Sequence, residues 1–380
     1  MKITLERTPE QVELIKAMAS KNRDVAYEAQ TALAEFIGPV LAEVVNAAPT
    51  VSNMFTSLQF NSDESPSIPL DLYHDITDED YIQVWSQSVA GGLPTNQVAP
   101  SQSELKFTTY TLDSALSFDK RYASRSRLDV VSKTFTRMAQ EILLKQEKTS
   151  ATMIMTALAK AETNGEKHVI RSAQANRFLL SDLNKLFTKA KRINTAWTGG
   201  TPADRRGRGI TDLLVSPEIV EEIRGLAYNP INTKGADGSA PSGDTNGIAG
   251  TDSMRDAIFN SAGIPEFYGV SIQEYNEMGD KQKWNTTFDV AADSTSYDDH
   301  YAVTASKSTF DGDTEQILVG VDLSRESMIR AVATDSESGD EFSLVADDQF
   351  VTRQSKIGYY GSLEEGRMII DDRVLLGLIV

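Results

Sequence analysis

A chain of 380 residues, 40% hydrophobic and 24% charged, is long enough for two or three domains at roughly 150 residues each. Its 37 Lys and Arg against 55 Asp and Glu leave a net charge of −18, which argues against a surface built mainly to hold nucleic acid phosphates. With no Cys, and with His74, His168 and His300 far apart in sequence, disulfide frameworks, thiolate zinc sites, cysteine nucleophiles and local His clusters are excluded.

The residues after Met1 are polar and charged, so no secretory signal is expected, and the longest apolar run is too short to span a bilayer. The chain reads as soluble and made in a reducing cytoplasm.

The first helix is predicted from Thr8 as N-cap, Pro9 at the first helical position and Gln11 as capping-box partner. A second pattern starts at Asp24, runs through Leu33, Phe36 and Ile37 to Gly38-Pro39, and resumes at Val40, Leu41, Val44 and Val45. Such helices form either an ordinary hairpin or an arm docked on a neighbour. From about Val51 to Phe118, four prolines and Gly91-Gly92 argue against a long helix. Leu105 to Phe118 alternates apolar and polar residues, with a parity switch near Thr108-Thr109 that predicts a bulge. Tyr81 to Gln87 is a second strand. This segment reads as a long β-hairpin, too thin to hold its own core, which must lie on its own domain or on another subunit.

The strongest periodic signal comes next. Ser126 and Asp129 make a predicted capping box, and Leu128, Val131, Phe135, Met138 and Ile142 fall at 3-4-3-4 spacing. Residues 127–162 are predicted as one helix of about 54 Å at 1.5 Å per residue, stopped by Asn164-Gly165. A further amphipathic helix spans Ser181–Ile193. Asp212–Val215 is a strand feeding a helix that Ser216 caps, Pro217 starts and Gly225 ends. Residues 229–252, with five glycines, form a loop that is either mobile or ordered by a partner. Short strands close the chain at YGVSI, EQILVGVDL, SMIRAVA and MIIDDRVLLGLIV.

Signals for chemistry are thin. Asp298-Asp299 beside His300 is a carboxylate pair of the kind a hydrolase uses, but 55 acids produce such pairs by chance. DGDTE (Asp311 to Glu315) fails the EF-hand spacing and reads as a solvated turn. His74 sits among acids in YHDITDED, with no ligand role expected. GGTPADRRGRG (Gly199 to Gly209) lacks the phosphate-loop and Rossmann spacings and reads as a surface loop that could grip an anionic partner. No catalytic, cofactor-binding or metal-ligating residue is predicted, and no cofactor is implied.

Charge, by contrast, is segregated. Asp24 to Leu105 holds twelve acids and no Lys or Arg, whereas residues 118–148 hold eight bases against four acids. One reading is scattered surface charge. The other sets the acidic arm and hairpin of one subunit, with Asp78, Glu79 and Asp80, on the basic stretch of another, with Lys120, Arg121, Arg125 and Arg127. Exposed pairs contribute about 0–1 kcal/mol each, so such contacts set register and partner choice more than affinity.

The order of parts, with SRSRLDVVSKTFTRMAQEILLKQEKTSATMIMTALAKA as a long spine helix, DLLVSPEIVEEIRGL as a strand-to-helix unit, AGIPEFYGVSIQEYNEMG and the closing DDQFVTRQSKIGYYGSLEEGRMIIDDRVLLGLIV, resembles the major capsid proteins of tailed bacteriophages (the Hong Kong 97-type fold). The resemblance implies an α+β fold with an N-terminal helical arm over residues 1–55 and an extended β-hairpin loop over 56–118. A peripheral domain with the spine helix would then cover 119–211, an axial domain 212–340, and closing strands 341–380. It implies a non-enzymatic subunit of an icosahedral virion shell, assembled in the host cytoplasm from pentamers and hexamers of itself around double-stranded DNA bound without sequence specificity. Portal and scaffolding proteins are implied partners, decoration proteins a further option, and no membrane is involved.

Two expectations follow from family habits. No Lys lies between Lys21 and Lys106, so the loop tip offers no amine for a covalent cross-link and the shell is expected to be non-covalent. The arm begins almost at once after Met1, so a separate scaffold protein is expected. The alternatives are an encapsulin-like nanocompartment of the same fold and, from another class, a carboxylate-dependent cytosolic hydrolase centred on Asp298–His300.

Overall fold

The computed structural model describes residues 8–46, 50–69, 92, 104–163, 165–172, 177–193, 209–225, 269–297, 308–324, 326–335, 341–347 and 355–380. In chain order the elements begin with helices α1 (Pro9–Met18) and α2 (Arg23–Asn46) and a 3-10 turn (Val51–Met54). Strands β1 (Thr56–Asn61), β2 (Ser67–Pro69), β3 (Glu104–Lys106) and β4 (Thr109–Asp119) follow, then α3 (Lys120–Ser124) and α4 (Leu128–Lys160). Next come β5 (Glu162–Thr163), β6 (Glu166–Lys167), β7 (Val169–Arg171), α5 (Leu180–Ile193), β8 (Asp212–Val215) and α6 (Pro217–Gly225). The chain continues with β9 (Ser271–Glu274), α7 (Lys283–Ala292), β10 (Ser296–Tyr297), β11 (Ser308–Thr309) and β12 (Ile317–Val321). It closes with β13 (Met328–Thr334), β14 (Ser343–Asp347), β15 (Lys356–Ile369) and β16 (Leu375–Ile379). The fold is α+β.

The described residues fall into two compact units. Unit 1 draws on Met1–Pro69, Glu104–Ala151 and Met328–Met368; unit 2 draws on Leu70–Ser103, Thr152–Ser327 and Ile369–Val380.

Unit 1 is organised around β15. On one side β4 pairs with it antiparallel from Lys356↔Asp119 to Gly366↔Thr109, and on the other β14 pairs from Ser343↔Ser362 to Asp347↔Gly358. β1 lies parallel to β13, giving the strand order β1-β13-β15-β14. Helix α1 starts with the Thr8 hydroxyl accepting from the Gln11 backbone N–H at 3.4 Å and Pro9 in the first turn, while Gln11 Oε1 makes no hydrogen bond among the described residues, so only the Thr8 half of the predicted capping box forms. Ile15 and Met18 of α1, Leu33, Ile37, Leu41 and Val45 of α2, and Val131, Phe135, Met138 and Ile142 of α4 share one core with Phe118, Val332, Ile357, Tyr359 and Leu363 of the sheet. Burying each large apolar side chain contributes about 1.5–3 kcal/mol. The Tyr359 ring stands edge-on to Phe135 at 5.3 Å between centroids, a favoured aromatic geometry.

Unit 2 holds a sheet ordered β7-β16-β12-β8-β9. Every residue of β12 and of β16 is buried, as their unbroken apolar runs demand of central strands. Leu183, Leu186, Ala190 and Ile193 of α5 and Ile219, Val220 and Ile223 of α6 pack in the same cluster as Leu213, Leu318, Leu376 and Leu378. The Ser216 hydroxyl accepts from the Ile219 N–H at 3.3 Å and caps α6, as its position before Pro217 predicts.

Four local expectations are revised. The capping box at Ser126 does not form: this residue takes φ +52°, its hydroxyl is buried away from the helix N–H groups, and α4 begins two residues later. The left-handed turn is what redirects the chain between α3 and α4. Helix α2 runs unbroken through Pro39, because Ile37, Leu41 and Val45 keep it packed into the core despite the lost backbone bond. Helix α4 spans 33 residues, about 50 Å, and ends at Lys160; Gly165, at φ +81°, serves instead in the turn joining β5 to β6. The parity switch near Thr108-Thr109 is a full break between β3 and β4, where the Phe107 N–H bonds to the Pro66 carbonyl at 3.0 Å. β3 pairs with β2, whereas β4 joins the sheet of its own unit. The strand expected over Tyr81–Gln87 and the loop expected over 229–252 lie outside the described residues.

Gly361 sits mid-strand in β15, where a Cβ would run into Met138 Cε and the Phe342 ring. Gly361→Ala is therefore expected to destabilise unit 1 by about 1–3 kcal/mol through overpacking, read as a lower urea midpoint with unchanged slope.

Candidate functional site

Of the residues singled out for an interface, Lys120, Arg121, Arg125 and Arg127 gather within eight positions at the corner from α3 into α4. The Asp119 carboxylate caps α3 by accepting from the Arg121 N–H at 2.9 Å, and the φ of Ser126 then turns the chain. The Arg121 side chain is 80% exposed with its Nε 3.3 Å from Asp119, and Arg127 is 63% exposed with Asp129 at 4.0 Å. Pairs this exposed are screened and loosely held, so the corner retains its positive field. Tyr122, 46% exposed, adds an aromatic ring. The acidic counterparts Asp78, Glu79 and Asp80 lie outside the described residues, as do His74, the Asp298–His300 group and all of the 199–209 loop except Gly209.

Apolar exposure is concentrated in the same unit. Among the described residues, Val25, Tyr27, Phe36, Val40, Leu58, Tyr122, Leu144, Val345 and Tyr360 of unit 1 are exposed, against Val290 of unit 2. A groove of about 460 Å³ between α1, α2 and the start of α4 is floored by Leu14, Ile15, Leu33 and Leu128 and edged by Phe36.

Behind this surface unit 1 buries a charge centre. The Glu365 carboxylate has no exposed side-chain area, and Arg367 is equally enclosed. Glu365 accepts from Tyr110 Oη at 2.7 Å, Gln146 Nε2 at 3.0 Å, Arg330 Nε at 2.9 Å and Arg367 Nη2 at 3.1 Å. Arg367 also donates from Nη1 to Ser150 Oγ at 2.6 Å and from Nη2 to Ser52 Oγ at 2.7 Å, and its guanidinium lies 5.4 Å from the Phe55 ring centroid. Burial alone would push the Glu365 carboxyl up; Arg367 and Arg330, with the Tyr110 hydroxyl, outweigh it and hold the group below the usual carboxylate range. Burial and then the Glu365 charge push the Tyr110 phenol up to about 12, so it stays a donor.

Sequence reading did not single out this centre, although a signal was present. Glu365 and Arg367 share strand parity with Ile357, Tyr359 and Leu363, so period two places both charges on the buried face of β15.

Unit 2 holds the buried His168. Its Nδ1 faces the carbonyls of Asp372 at 3.2 Å and Leu375 at 3.1 Å, which can only accept, so Nδ1 carries the proton and Nε2 accepts from Thr163 Oγ1 at 2.8 Å. The DGDTE segment is a turn closed by its own bonds, with Asp311 accepting from the Asp313 N–H at 3.0 Å and from Thr314 Oγ1 at 3.0 Å, while Glu315 pairs with Arg171. Among the described residues no cluster of three or more His, Asp or Glu is arranged to hold a metal, and no helix is long and apolar enough to cross a membrane.

No family model matches the chain, and no curated protein matches it by sequence. Solved structures with a similar chain course include the capsid of a native GTA particle, at 11% identity and a TM-score of 0.46 over 87% of this chain and 91% of that one. The Microbacterium phage Oxtober96 structure is similar at 11% identity and a TM-score of 0.47, covering 88% and 91%. The SrpI encapsulin of Synechococcus elongatus PCC 7942 is similar at 10% identity and a TM-score of 0.44, covering 90% and 94%. At these values the likeness is a distant one of chain course.

Glu365→Gln is expected to cost about 3–5 kcal/mol in unit 1, since it leaves two buried guanidiniums without their counter-charge; urea unfolding followed through near-ultraviolet signals measures it.

His168 gives a separate pH signature in unit 2. Burial lowers its pKa from 6.5, with the Lys189 charge adding to that, against opposing effects of the Asp372 carboxylate and the two carbonyls. The unfolded chain therefore takes up a proton near pH 6.5 that the folded unit refuses, so stability is complete above that pH and declines as pH falls towards the depressed folded value. The urea midpoint is expected to drop between about pH 7 and pH 5, and His168→Gln to flatten that drop.

Proposed function

We propose that the chain is the structural subunit of a closed protein shell, and specifically the major capsid protein of a tailed phage. The observation that carries this is the composition of unit 1's surface: among the described residues, nine exposed large hydrophobic side chains, with Tyr122 one of them, and a basic corner at Lys120, Arg121, Arg125 and Arg127 around it. Apolar patches edged by charge are how a soluble protein builds contacts with further copies, and head-to-tail contacts that close by rotation make rings. The base-free stretch Asp24–Leu105, with its twelve acids, supplies the complementary charge. In this reading Asp78, Glu79 and Asp80 of one copy meet the basic corner of the next, within pentamers and hexamers of one subunit type.

The shell reading gives no catalytic role to any residue. A net charge of −18 suits the wall of a container for double-stranded DNA, since it repels phosphates rather than clamping them. A scaffold protein and a portal complete the assembly in this proposal, which places the subunit in the virion after assembly in the host cytoplasm. The arm and loop carry no Lys between Lys21 and Lys106, so the contacts are non-covalent.

Electron microscopy and sedimentation of the full chain, alone and with a candidate scaffold, test the proposal. Rings, tubes or shells are expected; a monodisperse monomer in both samples overturns it. Shells loaded with a protein cargo instead of DNA would point to a nanocompartment. Reversing the corner as Arg121→Glu, Arg125→Glu and Arg127→Glu is expected to weaken association roughly tenfold while leaving the unfolding midpoint unchanged. Asp78→Lys, Glu79→Lys and Asp80→Lys in the same chain should restore association.

A further inference from the structure

Within unit 1 the buried charge centre joins segments far apart in sequence. Ser52 and Phe55 follow helix α2, Tyr110 stands at the start of β4, and Gln146 and Ser150 belong to α4. Arg330 comes from β13, and Glu365 with Arg367 from β15. All of these side chains meet on one carboxylate and one guanidinium.

We infer that Glu365 and Arg367 form a relay that couples the end of the arm, at Ser52 and Phe55, to the root of the loop, at Tyr110.

The geometry leaves the relay little room to yield by degrees. One Glu365 oxygen receives Tyr110, and the other receives Gln146 and Arg330, so turning the carboxylate to follow Tyr110 strains the remaining bonds. Arg367 is planar and rigid, with Nη1 on Ser150 and Nη2 shared between Glu365 and Ser52. It cannot shift towards one partner without giving up another. With the Glu365 and Arg367 side chains fully enclosed, each bond given up is expensive, so the centre is either seated as a whole or opened as a whole. A change at Tyr110 therefore reaches Ser52 through two side chains, and the reverse holds by linkage. The coupling stands on this geometry alone, and its use rests on the shell reading. There the arm and the loop are the parts that reach neighbouring copies, so seating one on a neighbour biases the other towards its seated position.

Hydrogen exchange on the unassembled full chain tests the coupling directly. Tyr110→Phe, which keeps the ring and removes one hydroxyl, is expected to speed exchange at residues 50–55 about fivefold or more. Ser52→Ala is expected to do the same at residues 109–112, and the double variant to exchange no faster than either single one, the mark of a shared unit. Leu363→Ala is the control, since it loosens the same sheet while Leu363 makes none of the relay's hydrogen bonds. If Tyr110→Phe and Ser52→Ala each affect only their own segment and add, the inference is overturned. It is equally overturned if Leu363→Ala speeds residues 50–55 as much as Tyr110→Phe does, because the effect is then general loosening. Electron microscopy of the same preparations separates the two readings. Coupled exchange without any assembly leaves the relay standing and removes the shell, whereas shells with uncoupled exchange do the opposite.

Discussion

The pairing of Glu365 with Arg330 and Arg367 is the constraint around which unit 1 is arranged. Removing a carboxylate from water costs several kcal/mol unless donors replace the lost hydration, and here the donors come from residues 110, 146, 330 and 367. A core of Leu, Ile and Val is tolerant of small displacements because dispersion has no direction. An ion pair with hydrogen bonds to fixed partners is not. Sliding β15 by one residue against β4 would turn Glu365 and Arg367 to the opposite face together with Ile357, Tyr359 and Leu363, so the charge centre and the apolar face hold the same register.

The two units differ in how they use their surfaces. Unit 2 closes its sheet on strands that are buried along their whole length, and among its described residues Val290 is the exposed large hydrophobic side chain. Unit 1 turns aromatic and aliphatic side chains outward and carries arginines at the corner from α3 into α4, while keeping the Glu365–Arg367 pair sealed inside. In the proposed shell, that division would suit a subunit that meets many copies of itself. The inner centre holds the strands in one geometry, and contacts made through the exposed charges would be individually weak and screened by salt. An interior ion pair gives geometric definition; exposed ones give selectivity.

Much of this chain was legible locally. Thr8 and Pro9 start α1, Ser216 and Pro217 start α6, and the apolar spacing from Leu128 to Leu158 marks α4 to within two residues at each end. These signals act over one or two turns, where neighbours in sequence are neighbours in space. Ser126 shows where that logic fails. It stands three residues before an acid, as a capping residue should, yet the corner into α4 needs a left-handed residue there and the tertiary turn prevails.

The faces of the strands were likewise readable, because period two assigns Glu365 and Arg367 to the side shared by Tyr359 and Leu363. What composition and spacing alone determined is an acidic, cysteine-free chain with a long central helix, apolar closing strands and charge separated along its length. Which carboxylates among 55 acids would be buried, and which partners would satisfy Glu365, was decided only by the tertiary structure. The physical reason is range: a helix cap is satisfied within three residues, but Glu365 is satisfied by Tyr110 across 255 positions and by Gln146 across 219, and only the pairing of whole strands brings such groups together.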